Sequence, residues 1–338
     1  MLTRFRAKIS RRQKFFLKLA LGLGLIAVVL YFVDFGEMVD VLQRMNHNFI
    51  ILIIALIYAD RALMAYKWNP LLHTVGIRVP LGLLFRLYVV APFAGMLLPA
   101  GVGSDLFRAY EISRYGFNIK AVLASILVER ALGFISMMIL VLTSIGLASY
   151  LLREKLAHFS ALWWILGTGA LLVTGMVAFY YLVRGRRDGC ALKISNLPIV
   201  RQFHQVYLIT QQYRGHLDTL SLVFVWTCLE QLVPITMNFL VARSLNVDIS
   251  ILELAVIVPI IVLAIRLPIS PGGIGIQEGL SVALYSSLVG VSPAEALLMN
   301  ALGRVLHLIT QLPWAVHYIF SRNGSLPIKK EINVAEVR

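Results

Sequence analysis

The chain has 338 residues, with 31 Lys plus Arg against 17 Asp plus Glu, a formal net charge of +14. It is 59% hydrophobic and only 14% charged, where a soluble globular domain carries roughly 25% charge. That balance excludes an ordinary soluble enzyme. Several apolar stretches reach the roughly 20 residues that a bilayer span needs, so the chain reads as an all-α polytopic membrane protein. Its basic residues are scattered between the spans, which fits anionic lipid or the positive-inside bias and speaks against nucleic acid.

At the start, Arg4, Arg6, Lys8, Arg11, Arg12 and Lys14 precede a run from Phe15 to Val33 that is apolar except for Lys18. Asp34, Phe35 and Gly36 follow in place of a small-residue cleavage site, so a retained signal-anchor helix is expected. Further apolar segments run approximately 49–66, 81–98, 119–150, 159–183, 217–243, 250–267, 276–289 and 294–320. Two of these regions are interrupted. The first break is Leu98-Pro99-Ala100-Gly101-Val102-Gly103-Ser104-Asp105, the second Leu267-Pro268-Ile269-Ser270-Pro271-Gly272-Gly273-Ile274-Gly275. Pro and Gly at this density end a helix, and irregular backbone at membrane depth needs protein or a wet cavity around it. Each break therefore predicts an interior cavity.

Loop charge decides whether the broken units cross the bilayer. If both turn back, the N-terminal tail and segments 67–80, 104–120, 184–216 and 321–338 share the cytoplasmic side with 21 basic residues, against 3 outside. If both cross, the cluster Arg184, Arg186, Arg187, Lys193 and Arg201 faces outward. The re-entrant reading follows: about six full spans, two hairpins and both termini cytoplasmic, in one integral domain. The hairpins then enter from opposite sides, as an inverted repeat requires. Gly116 precedes Arg130 by fourteen residues and Gly290 precedes Arg304 by fourteen, each after a Pro/Gly break. Within 184–216, Ile199, Val200, Phe203, Val206 and Tyr207 share one helical face, which predicts an interfacial amphipathic helix or a partner-binding one.

Ionisable groups within the spans mark packing pairs or a pathway. They are Asp60, Arg61, Arg86, Glu129, Arg130, Glu230, Glu253, Arg266, Glu278 and Arg304. Acids and bases coexist, which favours a charged headgroup over a pure proton relay. Helices starting at Ser104 and Ile276, each after glycines, would offer backbone N–H groups and a positive dipole end to an anion. Asp105 reads best as an N-cap with Arg108 one turn on. Arg130, Arg304 and Arg266 supply planar donors for phosphate oxygens. Gly101, Gly103, Ser104, Gly272, Gly273 and Gly275 complete the expected headgroup site. Asp60, Arg61, Asp105, Glu129, Glu230 and Glu278 are assigned to coupling or structural pairing. Neither break has the GxxxxGK[ST] pattern, and no HExxH, GxSxG or metal-spaced Cys/His set occurs, so no cofactor or metal is expected. Cys190 and Cys228 form no disulfide framework.

Three ordered motifs resemble a known family: Leu98-Pro99 through Gly103-Ser104-Asp105 with Arg108; Leu127-Val128-Glu129-Arg130-Ala131-Leu132-Gly133; and Pro268 through Gly275 with Glu278. Together they look like the lysylphosphatidylglycerol synthase transmembrane family, over about Arg61 to Phe320. That family includes the flippase-like membrane half of multiple peptide resistance factor, stand-alone bacterial members and archaeal relatives linked to dolichol-sugar transfer. One departure is visible, since the family commonly has two glycines before the aspartate and here Ser104 follows Gly103. The resemblance implies a lipid-translocating domain in the inner (plasma) membrane, without the soluble lysyl transferase domain. The expected cargo is an anionic phospholipid or polyprenyl-phosphate-linked lipid, moved by a flippase or scramblase. The alternatives are a membrane-embedded transferase with Glu129, Asp105 or Glu278 as base, or an accessory subunit presenting lipid to a lipid-modifying enzyme. A homodimer is left open.

Overall fold

The computed structural model describes residues 35–94, 102–151, 209–266, 273 and 275–320. The expected first span, the span at 159–183, both tails, Gly101, Gly272 and nearly all of the amphipathic segment lie outside the described residues. All regular structure among the described residues is helical. In chain order it comprises α1 Phe35–Gln43, α2 Asn48–Thr74, α3 Leu81–Ala94, α4 Val102–Ser113 and α5 Ile119–Leu151. After a 3₁₀ turn at Gln211–Gly215 come α6 Leu217–Glu230, α7 Val233–Ser244, α8 Ile251–Ile265, α9 Ile276–Leu284 and α10 Pro293–Phe320. A π-helical turn, Tyr285–Val289, extends α9.

Three stretches are long and apolar enough to cross a membrane: Asn48–Thr74, Ile119–Ser144 and Leu217–Ser244. Ile51, Leu52, Leu142 and Leu217 stand exposed on them, which only an apolar surrounding makes favourable on this scale. The apolar helices Leu81–Phe93 and Ile251–Ile265 are shorter. At 1.5 Å per residue, α3 and α8 are each about 20 Å long, short of the roughly 30 Å hydrocarbon core.

The elements fall into two halves of matching order. In each, a long helical stretch is followed by a tight connection, a short helix, a break, a second short helix and a long helix. The agreement extends to single residues. Gly76 and Asn246, 170 positions apart, end α2 and α7 in left-handed conformations, with φ of 74° and 57°. The next residue then donates back across the turn, Ile77 N–H to the Leu72 carbonyl and Val247 N–H to the Ala242 carbonyl, each at 2.9 Å. This is the six-to-one bond of a Schellman cap. Farther on, Gly116 and Gly290 have φ of 91° and 83°. Two residues later, the side chains of Asn118 and Ser292 accept the backbone N–H groups of Lys120 and Glu295, at 3.0 and 3.1 Å. Arg130 and Arg304 follow at the same separation of 174 positions.

Each half has its own apolar core, and α2 serves both. Ile53 and Ile57 pack with α7 to α10, whereas Trp68, Leu71 and Leu72 pack with α3, α4 and α5. Ends are fixed by hydrogen bonds: Asn46 N–H donates to the Ser244 carbonyl at 2.7 Å, and buried Tyr213 donates to the Leu71 carbonyl at 2.7 Å. Burial pushes the Tyr213 phenol above its ordinary range, so it remains a donor. Hence α2 runs antiparallel to α6 and α7, with Arg78 and Arg214 near one end and Arg44 and Asn246 near the other.

Three expectations need correction. The segment 217–243 is not one helix but two, interrupted at Gln231-Leu232, where Pro234 near the start of α7 lacks the N–H that a continuous ladder would need. The helix after the first break starts at Val102, so Gly103 lies in a helical turn and is absent from the positive-φ glycines. The stretch 67–80 is helical to Thr74, and both Lys67 and Arg108, counted above as loop cations, are buried within helices.

Candidate functional site in the central cavity

Between the halves lie two adjoining chambers, of about 470 and 230 Å³. They share Arg61, Met64, Glu230, Gln231 and Arg266 as a common wall. The smaller chamber adjoins α4 and the larger one α9 and α10.

Around the smaller chamber the charges are paired. Arg130 grips Asp105 with two parallel bonds, Nε to Oδ2 at 2.8 Å and Nη2 to Oδ1 at 2.7 Å. This fork geometry is the one guanidinium is suited to. Arg108, 2% exposed, donates to Asp105 at 2.8 Å and to Glu129 at 3.2 Å. Its guanidinium also lies 4.5 Å from the Trp68 ring centroid and 4.3 Å from that of Tyr88. Glu129 accepts from the Tyr88 hydroxyl at 2.5 Å and lies 3.8 Å from the Lys67 ammonium. Lys67 in turn makes a close ion pair with Glu230. A chain of opposite charges thus runs from α4 through α5 and α2 to the end of α6. Three cations meet three carboxylates, so the buried charges compensate one another.

The second half repeats only part of this pattern. Arg304 pairs with Glu278 at 2.8 Å and donates to Gln277 at 2.9 Å. Gly275, with φ of 83°, precedes α9, and its N–H donates to Glu278 at 2.7 Å. The negative group at this helix start is therefore the chain's own carboxylate, and Gly275 donates inward. Gly273 has φ of 71°. The position 170 residues beyond Asp60 is Glu230, but Met237 stands where the repeat would place a second Lys67.

Arg266 differs from the other arginines singled out in the sequence. It is exposed in the wall shared by both chambers and makes no side-chain hydrogen bond or ion pair with the described residues. Arg61 lies 3.7 Å from Asp60, a loose contact. The structure thus gathers Asp60, Arg61, Ser104, Arg108, Glu129, Arg130, Glu230, Arg266 and Arg304 along one cavity. Asp105 and Glu278 adjoin it through their arginines.

Sequence reasoning missed Lys67, Tyr88, Gln231, Gln277, Asn300 and His307. One signal was available for Lys67, because it lies seven residues after Asp60 and hence on the same face of a helix. The aromatic and amide residues carry no such mark.

These features define a polytopic α-helical membrane protein with a charged cavity between two halves of matching element order. The chain belongs to the family described as the lysylphosphatidylglycerol synthase TM region, which it matches over residues 15–315. It is 24% identical to a UPF0104 membrane protein of Methanothermobacter thermautotrophicus, over 85% of this chain and 89% of that protein. A UPF0104 membrane protein of Pyrococcus horikoshii is 22% identical, over 87% and 93%. Glycosyltransferase AglD of Haloferax volcanii is 22% identical over 98% of this chain but 58% of its own length.

Proposed function

We propose that the protein is a flippase or scramblase that passes an anionic lipid headgroup between leaflets through the central cavity. The observation that carries this reading is Arg266, a guanidinium in the wall common to both chambers with no side-chain hydrogen bond or ion pair to the described residues. A phosphate there would gain charge-assisted hydrogen bonds without breaking a pair among the described residues. Arg61 and the half-exposed Arg130 adjoin the same space.

The accompanying architecture is six spans and two re-entrant hairpins, α3–α4 and α8–α9, in an inverted repeat with both termini cytoplasmic in the plasma membrane. Short hairpin helices, paired caps and the opposed long helices support it. So does loop charge, which stays strongly asymmetric after Lys67 and Arg108 are removed from the count. Such a carrier would work downhill or draw on an ion gradient, since the chain carries no recognised ATP motif. A second reading, in which the domain presents lipid to an enzyme, draws on the likeness to part of a glycosyltransferase.

Reconstituted into liposomes with fluorescent headgroup-labelled lipids and a membrane-impermeant reductant, the protein should expose inner-leaflet label. Arg266→Gln should slow this at least about tenfold, given roughly 1.5–3 kcal/mol for a hydrogen bond to a charged group. Its thermal unfolding should be unchanged because no described partner is lost. Full transport by Arg266→Gln would refute the proposed role of this residue. Lipid modification without translocation would favour a membrane-embedded transferase, and neither activity without a partner enzyme would favour the presenting role.

A further inference from the structure

The two chambers differ in chemistry as well as size. Around the smaller one the polar groups are chiefly charged and mutually paired. The larger one is lined by four amide side chains, Gln231, Asn238, Gln277 and Asn300, and by His307. Resting on the translocation reading above, we propose that the larger chamber receives an uncharged, hydroxyl-bearing headgroup, a glycerol or a sugar. The headgroup is joined to its lipid by a monoanionic phosphodiester held at Arg266.

The hydrogen-bond inventory separates this cargo from its rivals. A hydroxyl both donates and accepts, a phosphate oxygen only accepts and an ammonium only donates. The wall offers both kinds of group. Among the described residues Asp60 has only its loose contact with Arg61, and the Gln231 carbonyl oxygen accepts from no described residue while its amide nitrogen donates to the Gly133 carbonyl at 3.1 Å. On the donor side, the exposed Arg266 guanidinium lines both chambers and makes no side-chain hydrogen bond or ion pair with the described residues. A bare phosphate would leave the acceptors facing another acceptor. An ammonium would meet three guanidiniums, Arg61, Arg266 and Arg304, against Asp60 as the one carboxylate of the described wall not closely paired, while Glu230 is already held by Lys67. A hydroxylated group satisfies both sides.

Size agrees with this division. Small-molecule sites occupy roughly 300–1,000 Å³, a range that includes the larger chamber at about 470 Å³ and excludes the smaller at about 230 Å³. The amides are also held in place. Gln277 donates to Asn300 at 3.1 Å, and Asn238 donates to the Pro234 carbonyl at 2.8 Å while accepting from Tyr285 at 3.3 Å. Fixed donors and acceptors discriminate better than mobile ones, because little ordering remains for the ligand to impose.

The test compares four short-chain lipids binding to the full chain in nanodiscs. Dioctanoyl phosphatidylglycerol and a farnesyl phosphohexose carry hydroxyls, dioctanoyl phosphatidylmethanol is the phosphodiester without them, and lysyl-dioctanoyl phosphatidylglycerol is cationic. At least one hydroxylated lipid should bind about tenfold tighter than phosphatidylmethanol, and which of the two does so identifies the glycerol or sugar source. The lysyl ester should bind more weakly than phosphatidylglycerol. Gln231→Leu or Asn300→Leu should remove the preference for hydroxyls, read as the ratio of phosphatidylglycerol to phosphatidylmethanol affinity. Arg266→Gln should weaken all three anionic lipids alike. Equal binding of phosphatidylmethanol, or tightest binding of the lysyl ester, overturns the inference while leaving anionic-lipid translocation intact. Absence of binding by every phosphodiester, together with absence of translocation, overturns the underlying reading as well. The ligand series uses the unaltered protein, so its outcome does not depend on whether a variant folds.

Discussion

Lys67 is buried between two carboxylates, and that position makes it the side chain whose loss the fold should feel most. Replacing it by the residue at the corresponding repeat position, as Lys67→Met, strands Glu230 and Glu129 without their shared cation. The expected cost is about 3–5 kcal/mol, the scale for breaking a buried pair. Lys67→Met with Glu230→Gln should recover part of it in thermal unfolding, because one stranded charge is gone. Two glycines differ in what they demand. An added Cβ at Gly273 would lie 2.5 Å from Ile265 Cγ2, at a φ of 71° that side chains rarely adopt. At Gly82 in α3 a Cβ meets nothing within 4 Å. Gly273→Ala should therefore lower stability by roughly 1–3 kcal/mol, whereas Gly82→Ala should be neutral or mildly stabilising. Equal melting temperatures for these two variants would show that the second break lacks the backbone described for it. Arg130 and Arg304 are a different case from Arg266, since truncating Arg130 removes one of the two guanidiniums on Asp105, leaving Arg108, and truncating Arg304 removes the ion pair of Glu278.

At the scale of elements, the paired helix ends carry the strongest sign of duplication. Gly76→Ala should cost roughly 1 kcal/mol, because its left-handed φ of 74° is open in space but strained for a side chain. Asn246→Gly, at the equivalent cap, should be neutral or stabilising, and differential scanning fluorimetry of both variants checks the pair. Much of this level was legible in the sequence. Apolar runs marked every described long helix, and Gly116 and Gly290 announced the second pair of turns by their equal distance to an arginine. The break within 217–243 was missed because Glu230-Gln231 and a lone Pro234 sit inside a mostly apolar run, and an apolar stretch records burial in lipid without recording whether the backbone bends. The helix start falls at Val102 instead of Ser104 for a related reason: glycine permits a break in the helix but does not require one. The Lys67 network was hidden because a lone cation at the end of an apolar run resembles a loop residue until the partners on α5 and α6 are known. Arg108 was recognised from its spacing to Asp105, which the structure retains.

For the whole molecule, the proposed topology places Arg78 and Arg214 on the cytoplasmic side and Asp248 on the other. Single cysteines at these exposed positions, in a variant lacking Cys190 and Cys228, should label with an impermeant maleimide from opposite sides of the membrane. Labelling of positions 214 and 248 from the same side would overturn the inverted repeat. The interruption at Gln231-Leu232 has a further bearing on how such a carrier would run. Its repeat counterpart, Arg61-Ala62, lies within an unbroken helix, and Lys67 has no twin, so the two postures of an alternating cycle would not be mirror images in energy. An unloaded molecule would wait with one mouth favoured. For a passive carrier that bias leaves the final distribution of lipid between leaflets untouched, since detailed balance forbids a resting preference from driving net flow. It sets instead which leaflet saturates the carrier first, and so makes initial rates from the two sides unequal while their equilibrium remains the same.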